Sequence, residues 1–108
     1  MDARARFDEI ADDLVARNPE VELTQMMGMP AIKADGKLIA GFSRGAGAMV
    51  FKLPDPALRD QVLALEGAEL FDPAGGRPMR EWVVVPPPHA GEWQALASEA
   101  LRLRLHRD

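Results

Sequence analysis

The dipeptide Asp35-Gly36 constrains the fold of this chain more than any other feature of its sequence. A two-residue type I′ turn needs positive φ angles at both central residues, and Asp-Gly is one of the pairs that adopt them. The segments on either side, residues 31–34 and 37–43, carry enough apolar side chains to pair as strands. We therefore expect an antiparallel β-hairpin around this turn.

A helix precedes the hairpin and a third strand follows it. Residues 3–17 carry apolar side chains at helical spacing, namely Phe7, Ile10, Ala11, Leu14 and Val15. Asn18-Pro19 ends this helix, because the residue before a proline avoids the α region. Residues 21–27 fit either a short strand or an extended lead-in, and residues 48–53 fit a strand.

The second half of the chain adds two helices and two strands. Asp55 can cap a helix whose first position is Pro56, where the missing N–H leaves no hydrogen bond unmade. A short strand follows within residues 68–79, and a longer one in residues 80–88 ends at three prolines. The closing helix spans about residues 91–105, with an apolar stripe along one side.

The predicted order is α-β-β-β-α-β-β-α in a single domain over residues 1–108. Such an order favours the α+β class, with helices packed in a second layer on a mainly antiparallel five-stranded sheet. The chain has 108 residues, of which 47% are hydrophobic, and this is enough for one core without stapling by disulfides.

Composition narrows the functions that the chain can support. It contains no cysteine, which removes disulfides, thiolate metal sites and cysteine nucleophiles. It has no apolar run typical of a secretory signal or a membrane span, so we expect a cytoplasmic protein without membrane contact. Its net charge of −4 argues against nonspecific nucleic-acid binding, which depends on cations that neutralise phosphates.

Methionines and glycines cluster around the predicted hairpin. Met26, Met27 and Met29 could bind copper(I) or line an apolar ligand site, but no histidine or cysteine lies beside them. We therefore expect them to fill gaps in the core. Five glycines could suggest a phosphate-binding loop: Gly28, Gly36, Gly41, Gly45 and Gly47. Their spacing matches neither a Walker loop nor a dinucleotide fingerprint, and turn geometry explains them.

Residues able to carry catalysis are scattered. His89 would need a nucleophile and an orienting acid to act as a general base, yet Thr24, Ser43 and Ser98 lie in no nucleophile elbow. His106 falls at the end of the last helix, a favourable place for a cation. We predict no enzymatic activity, no cofactor and no catalytic, cofactor-binding or metal-binding residue.

Cations and one aromatic side chain mark a candidate interaction surface: Arg44, Arg77, Arg80 and Trp82. Arginine and tryptophan are enriched at interaction hot spots and also stack on single-stranded nucleic acids. Alternatively, Trp82 belongs to the core and packs with Phe51 or Phe71, since it lies in an apolar strand.

The last helix carries leucines on more than one side. Leu103 and Leu105 alternate with arginines, so one of them is left for a partner if the other faces the core. A homodimer that uses these leucines is therefore a further candidate interaction.

The order and spacing of these segments resemble a known family. The stretch "GMPAIKADGKLIAGFS", the strand "AMVFKL", the stretch "GAELFDPAGGRPMREWVVVP" and the closing amphipathic helix are similar to the N-terminal domain of the TfoX/Sxy family and to the related MmcQ/YjbR-like small proteins. The matching marks are Gly28, Asp35-Gly36-Lys37, Lys52, Arg77-Pro78-Met79 and Val85-Pro86, within roughly residues 5–105. The resemblance implies an α+β fold like that of type III secretion chaperones, in a family linked to regulation of competence genes and without established catalytic residues.

Three functions are consistent with these patterns. The first is a non-enzymatic bacterial protein-interaction or regulatory domain, in which a protein partner or a homodimer is the expected contact. The second is a DNA-binding transcriptional or competence-type regulator, which requires Arg44, Arg77, Arg80 and the C-terminal arginines to form one positive face. The third is a small-molecule-binding protein that uses the region of Met26, Met29 and Trp82.

Overall fold

A computed structural model describes residues 2–106. Its helices are α1 (Ala3–Arg17), α2 (Pro56–Leu63) and α3 (Trp93–Leu105), and a 3₁₀ turn at Pro87–Glu92 leads into α3. Its strands are β1 (Val21–Met26), β2 (Met29–Ala34), β3 (Lys37–Ser43), β4 (Ala48–Lys52), β5 (Glu69–Phe71) and β6 (Met79–Val85). The predicted α+β class, with helices packed on an antiparallel sheet, is confirmed.

Side-chain caps set where the first two helices begin. The carboxylate of Asp2 accepts the backbone N–H of Ala5 at 2.7 Å, and that of Asp55 accepts the N–H of Ala57 at 3.2 Å. These bonds satisfy donors that the first turn of a helix leaves unpaired. The predicted start of α2 is therefore confirmed, with Pro56 as its first residue.

The strands form one antiparallel sheet in the order β1-β2-β3-β4-β6-β5. The prediction of five strands is wrong, because β1 is a full strand of six residues and not an extended lead-in. Met26 lies opposite Met29, so the residues between them, Met27 and Gly28, form a two-residue turn with φ angles of 50° and 78°. Methionine seldom adopts positive φ, so local residue preferences do not predict this second hairpin turn.

One face of the sheet carries α1 and α3. Phe42, Met49 and Val85 lie opposite one another in β3, β4 and β6 and so share this face. The ring of Phe7 in α1 lies 5.8 Å from that of Phe42. Trp93 at the start of α3 is fully buried, and its indole N–H donates to the carbonyl of Val85 at 3.0 Å. The two terminal helices are thus fixed to the centre of the sheet.

The methionines near the first turn have separate roles. A Cβ at Gly41 would lie 3.4 and 3.5 Å from the Cε atoms of Met29 and Met26, so these two side chains cover the glycine in β3. Met26 is buried and Met29 is half-buried, which confirms the core-packing prediction for Met26. The same prediction is wrong for Met27, which is 60% exposed in its turn.

Candidate interaction surface at the β1 edge

The two edge strands of the sheet differ in how open they are. β5 has three residues and is followed at once by Asp72-Pro73, so it presents little backbone to another strand. β1 has six residues, with neither proline nor lysine among them, at the opposite edge. Short strands, prolines and lysines are the features that protect sheet edges from pairing with other chains. β5 is short and followed by a proline, whereas β1 carries one charged side chain, Glu22.

Backbone geometry determines which groups of β1 face outward. The N–H of Asp35 donates to the carbonyl of Glu20 at 2.9 Å, in the same register that places Thr24 opposite Ala31. Glu20 is therefore a hydrogen-bonded position, and in an antiparallel pair such positions recur at every second residue. Glu22 and Thr24 follow Glu20 by two and four residues, so their backbone groups face β2. Those of the alternate residues, Val21, Leu23 and Gln25, face away from the sheet.

One of these outward donors already has a partner within the chain. The N–H of Val21 donates to the carbonyl of Asn18 at 3.1 Å, in the turn that follows α1. In the part of the chain that the structure describes, the outward N–H and C=O groups of Leu23 and Gln25, and the C=O of Val21, have no hydrogen-bond partner. The β1 edge, defined here as Val21–Met26, thus presents both donors and acceptors to a further strand.

The side chains of the β1 edge are also accessible. Among residues 2–106 three large apolar side chains are exposed, namely Val15 at 40%, Leu23 at 54% and Met27 at 60%. Leu23 belongs to the β1 edge, and Met27 follows it directly. Val15 lies one helical turn beyond Ala11, which faces β1. Exposed apolar side chains next to unpaired strand backbone are typical of protein-binding edges.

A shallow groove separates the β1 edge from α1. Its volume is about 220 Å³, and Asp8, Ala11 and Asp12 line it on the helix side while Leu23 and Gln25 line it on the strand side. The acidic wall is partly neutralised, since Arg4 contacts Asp8 at 3.0 Å. On the other face of the sheet, Glu22 of β1 lies 4.0 Å from Lys33 of β2. The edge is therefore apolar at Leu23 and bordered by charges that are partly paired.

The arginines predicted to form one positive face are not all together. Arg44 follows the end of β3 and donates to the carbonyl of Gly28 at 3.0 Å. Arg104 donates to the carbonyls of Ala34 and Asp35, in the turn that precedes β3. Seven residues of extended chain separate these two places by about 20 Å. Arg44 and Arg104 therefore lie at opposite ends of the strand, while Arg107 falls outside the described residues.

The other residues of that candidate surface lie near the start of β6. Arg77 and Arg80 are exposed, whereas Trp82 is only 7% exposed and belongs to the core, as one of the two alternatives for it predicted. Trp82 lies opposite Lys52 while Val83 lies opposite Phe51, so Trp82 and Phe51 are on opposite faces of the sheet and the predicted packing of Trp82 with Phe51 is wrong.

A carboxylate organises the loop that carries Arg77. Asp72 accepts backbone N–H groups from Gly75, Gly76 and Arg77 at 2.9, 2.8 and 3.2 Å. These bonds, that of Gly76 foremost, hold the pKa of Asp72 below its usual value, because they favour the ionised carboxylate. The loop conformation is therefore fixed by this one acidic side chain.

The leucines of α3 point to two different clefts. Leu103 lines a cleft of about 420 Å³ that also contains Lys37 and Lys52, and Leu105 lines a groove of about 770 Å³ between α1 and α3. Both leucines are half-buried, and Leu105 packs partly against the core. Each leucine exposes less of its surface than Leu23 does.

The candidate catalytic residues have local structural contacts. His89 Nε2 lies 2.8 Å from the carbonyl of Glu66 and ties the 3₁₀ turn to the segment after α2. The hydroxyl of Ser43 accepts the N–H of Ala46 at 3.2 Å within the β3–β4 loop. Within residues 2–106, His, Asp and Glu side chains form no group of three that could hold a metal ion. Nor does any helix in this part of the chain have the length and apolar character to cross a membrane.

Comparisons with known proteins detect no matching family model, no matching curated protein and no matching solved structure. The resemblance to the TfoX/Sxy family therefore stays a prediction.

Proposed function

We propose that this chain is a non-enzymatic protein-interaction domain of the TfoX N-terminal type, with a regulatory role, and that the β1 edge is the surface at which it binds its partner. The observation that carries the proposal is the combination of outward backbone groups at Leu23 and Gln25 with the 54% exposure of Leu23. A strand added to such an edge gains main-chain hydrogen bonds, and its side chains add specificity.

The rest of the described surface offers weaker support for the other two functions. DNA binding would need Arg44 to act with arginines of the C-terminal helix, and Arg104 is separated from it by the length of β3. A small-molecule site around the methionines would need Trp82 and Met26 to be accessible, and both are buried. We therefore favour a protein partner.

Site-specific photo-crosslinking in the native cells tests the proposal. A photoreactive amino acid replaces Leu23 in one variant and Gln61, an exposed residue of α2, in a matched control. We expect covalent protein adducts from position 23 and few or none from position 61. Equal yields from both positions, or no adduct from either, would remove the β1 edge as the binding surface.

A further inference from the structure

A second copy of the chain offers the β1 edge an extended strand of matching length. Two identical edge strands related by a two-fold axis run antiparallel, and each bond made by one copy is repeated by the other. Residues opposite each other in such a pair lie on the same face of the sheet. A residue can therefore pair only with a residue that points to the same face, so the two-fold axis must pass through a residue position and not between two residues. The candidate central residues in the middle of β1 are Glu22, Leu23 and Thr24.

Charge and exposure choose among these three registers. Centring on Glu22 places two carboxylates directly opposite each other, which is unfavourable. Centring on Thr24 places each Leu23 opposite Gln25. Centring on Leu23 brings the two exposed leucines into direct contact and places Glu22 opposite Thr24. This third register buries the most exposed apolar surface of β1 without opposing like charges.

The same register uses the outward backbone groups that the chain leaves available. Leu23 of each copy exchanges its N–H and C=O with Leu23 of the other, and the C=O of Val21 accepts the N–H of Gln25 on both sides of the axis. This makes about four hydrogen bonds across the edge. The N–H of Val21, which is already donated to Asn18, is not required.

The geometry points to a homodimer in which the β1 edges of two copies pair antiparallel with Leu23 opposite Leu23, joining two six-stranded sheets into one. The inference rests on the proposed function, because it names the partner of the same surface. It differs from a dimer through Leu103 and Leu105, which lie on α3 and leave β1 uncovered.

Light scattering across concentration tests the assembly. Between about 5 and 500 µM, a range suited to a small interface, the mass should rise from the monomer value of 11.8 kDa towards twice that value. Leu23→Pro removes the outward N–H in both copies and should weaken the dimer at least about tenfold. Leu103→Ala serves as the matched control and should leave the association unchanged.

Single cysteines test the register, since the natural chain contains none. Leu23→Cys places two thiols opposite each other, with Cα atoms about 5.5 Å apart, inside the range that a disulfide spans. Gln25 is also exposed, but the two copies of Gln25→Cys lie four residues apart along the strand, about 14 Å. Mild oxidation should therefore cross-link the Leu23→Cys chain at least about tenfold faster than the Gln25→Cys chain.

The outcomes separate this inference from the proposed function. A protein that stays monomeric up to about 500 µM, or a dimer that Leu23→Pro leaves intact, overturns the homodimer. Equal oxidation rates at positions 23 and 25 overturn its register. If the photo-crosslinked adducts at position 23 contain a different protein and the chain stays monomeric, the homodimer is wrong while the proposed function stands. If position 23 gives no adduct of any mass, both are wrong.

Discussion

Proline substitutions in β1 should reveal which backbone N–H groups the sheet uses. Thr24 pairs with Ala31 in the ladder, so Thr24→Pro removes an internal hydrogen bond and should cost about 3 kcal/mol or more of the free energy of unfolding. Leu23 directs its N–H away from the sheet, so Leu23→Pro removes no internal bond. Because Leu23 is 54% exposed, losing its side chain should cost only about 1 kcal/mol.

Thermal unfolding at about 2 µM, where association contributes little, measures this difference. For a domain of this size 1 kcal/mol corresponds to about 4 °C, so Thr24→Pro should lower the Tm by roughly 12 °C and Leu23→Pro by roughly 4 °C. Thr24→Ala and Leu23→Ala are the matched controls for the lost side chains. The proline and alanine variants should agree within about 0.5 kcal/mol at position 23 and differ by about 3 kcal/mol at position 24.

The opposite pattern would refute the assignment of outward and inward groups. If proline at position 23 destabilises the chain as much as proline at position 24, Leu23 makes an internal hydrogen bond and is no edge donor. The β1 edge would then have too few available groups to bind another strand.

Three further substitutions or titrations test the fold. Met27→Asn should raise the free energy of unfolding by about 0.5–1 kcal/mol in urea, because asparagine tolerates the positive φ of the turn better than methionine does; a loss of stability would contradict this. Trp93→Phe should cost about 3 kcal/mol, since it leaves the buried carbonyl of Val85 without its donor, and an effect below about 1 kcal/mol would show that the bond is unimportant. The pKa of Asp72 is lowered in the folded chain, so the stability from its hydrogen bonds is present above the unfolded pKa and is lost as the pH falls through the lower folded pKa. The Gly76 amide signal should therefore titrate with a midpoint below 3.8. A midpoint at or above 3.8 would contradict the assignment.

Much of the fold follows from local signals in the sequence. The structure contains the elements that four local signals predict. These signals are the apolar spacing of α1, its end at Asn18-Pro19, the cap at Asp55 and the Asp35-Gly36 turn. Each of these signals acts within a few residues, where propensity and capping determine the local conformation. They therefore predict element types well.

The β1 strand was only one of two alternatives, and its edge position could not be predicted. Its turn depends on Met27, a residue with no preference for positive φ, so tertiary pairing overrides the local signal. Which strand ends at the edge depends on the order of all six strands, which short-range patterns do not encode. One signal was available, since Val21 and Leu23 alternate with the polar Glu22 and Thr24, a short pattern that fits a half-exposed strand.

Amide hydrogen exchange, resolved by residue and measured at low and high protein concentration, tests most directly whether the β1 edge binds a second copy. At low concentration the amides of Leu23 and Gln25 should exchange fast while those of Glu22 and Thr24 are protected by β2. Raising the concentration should slow exchange at Leu23 and Gln25 and leave the other two unchanged. Fast exchange at Leu23 and Gln25 at every concentration, or equal protection of all four amides in the dilute protein, would contradict the account.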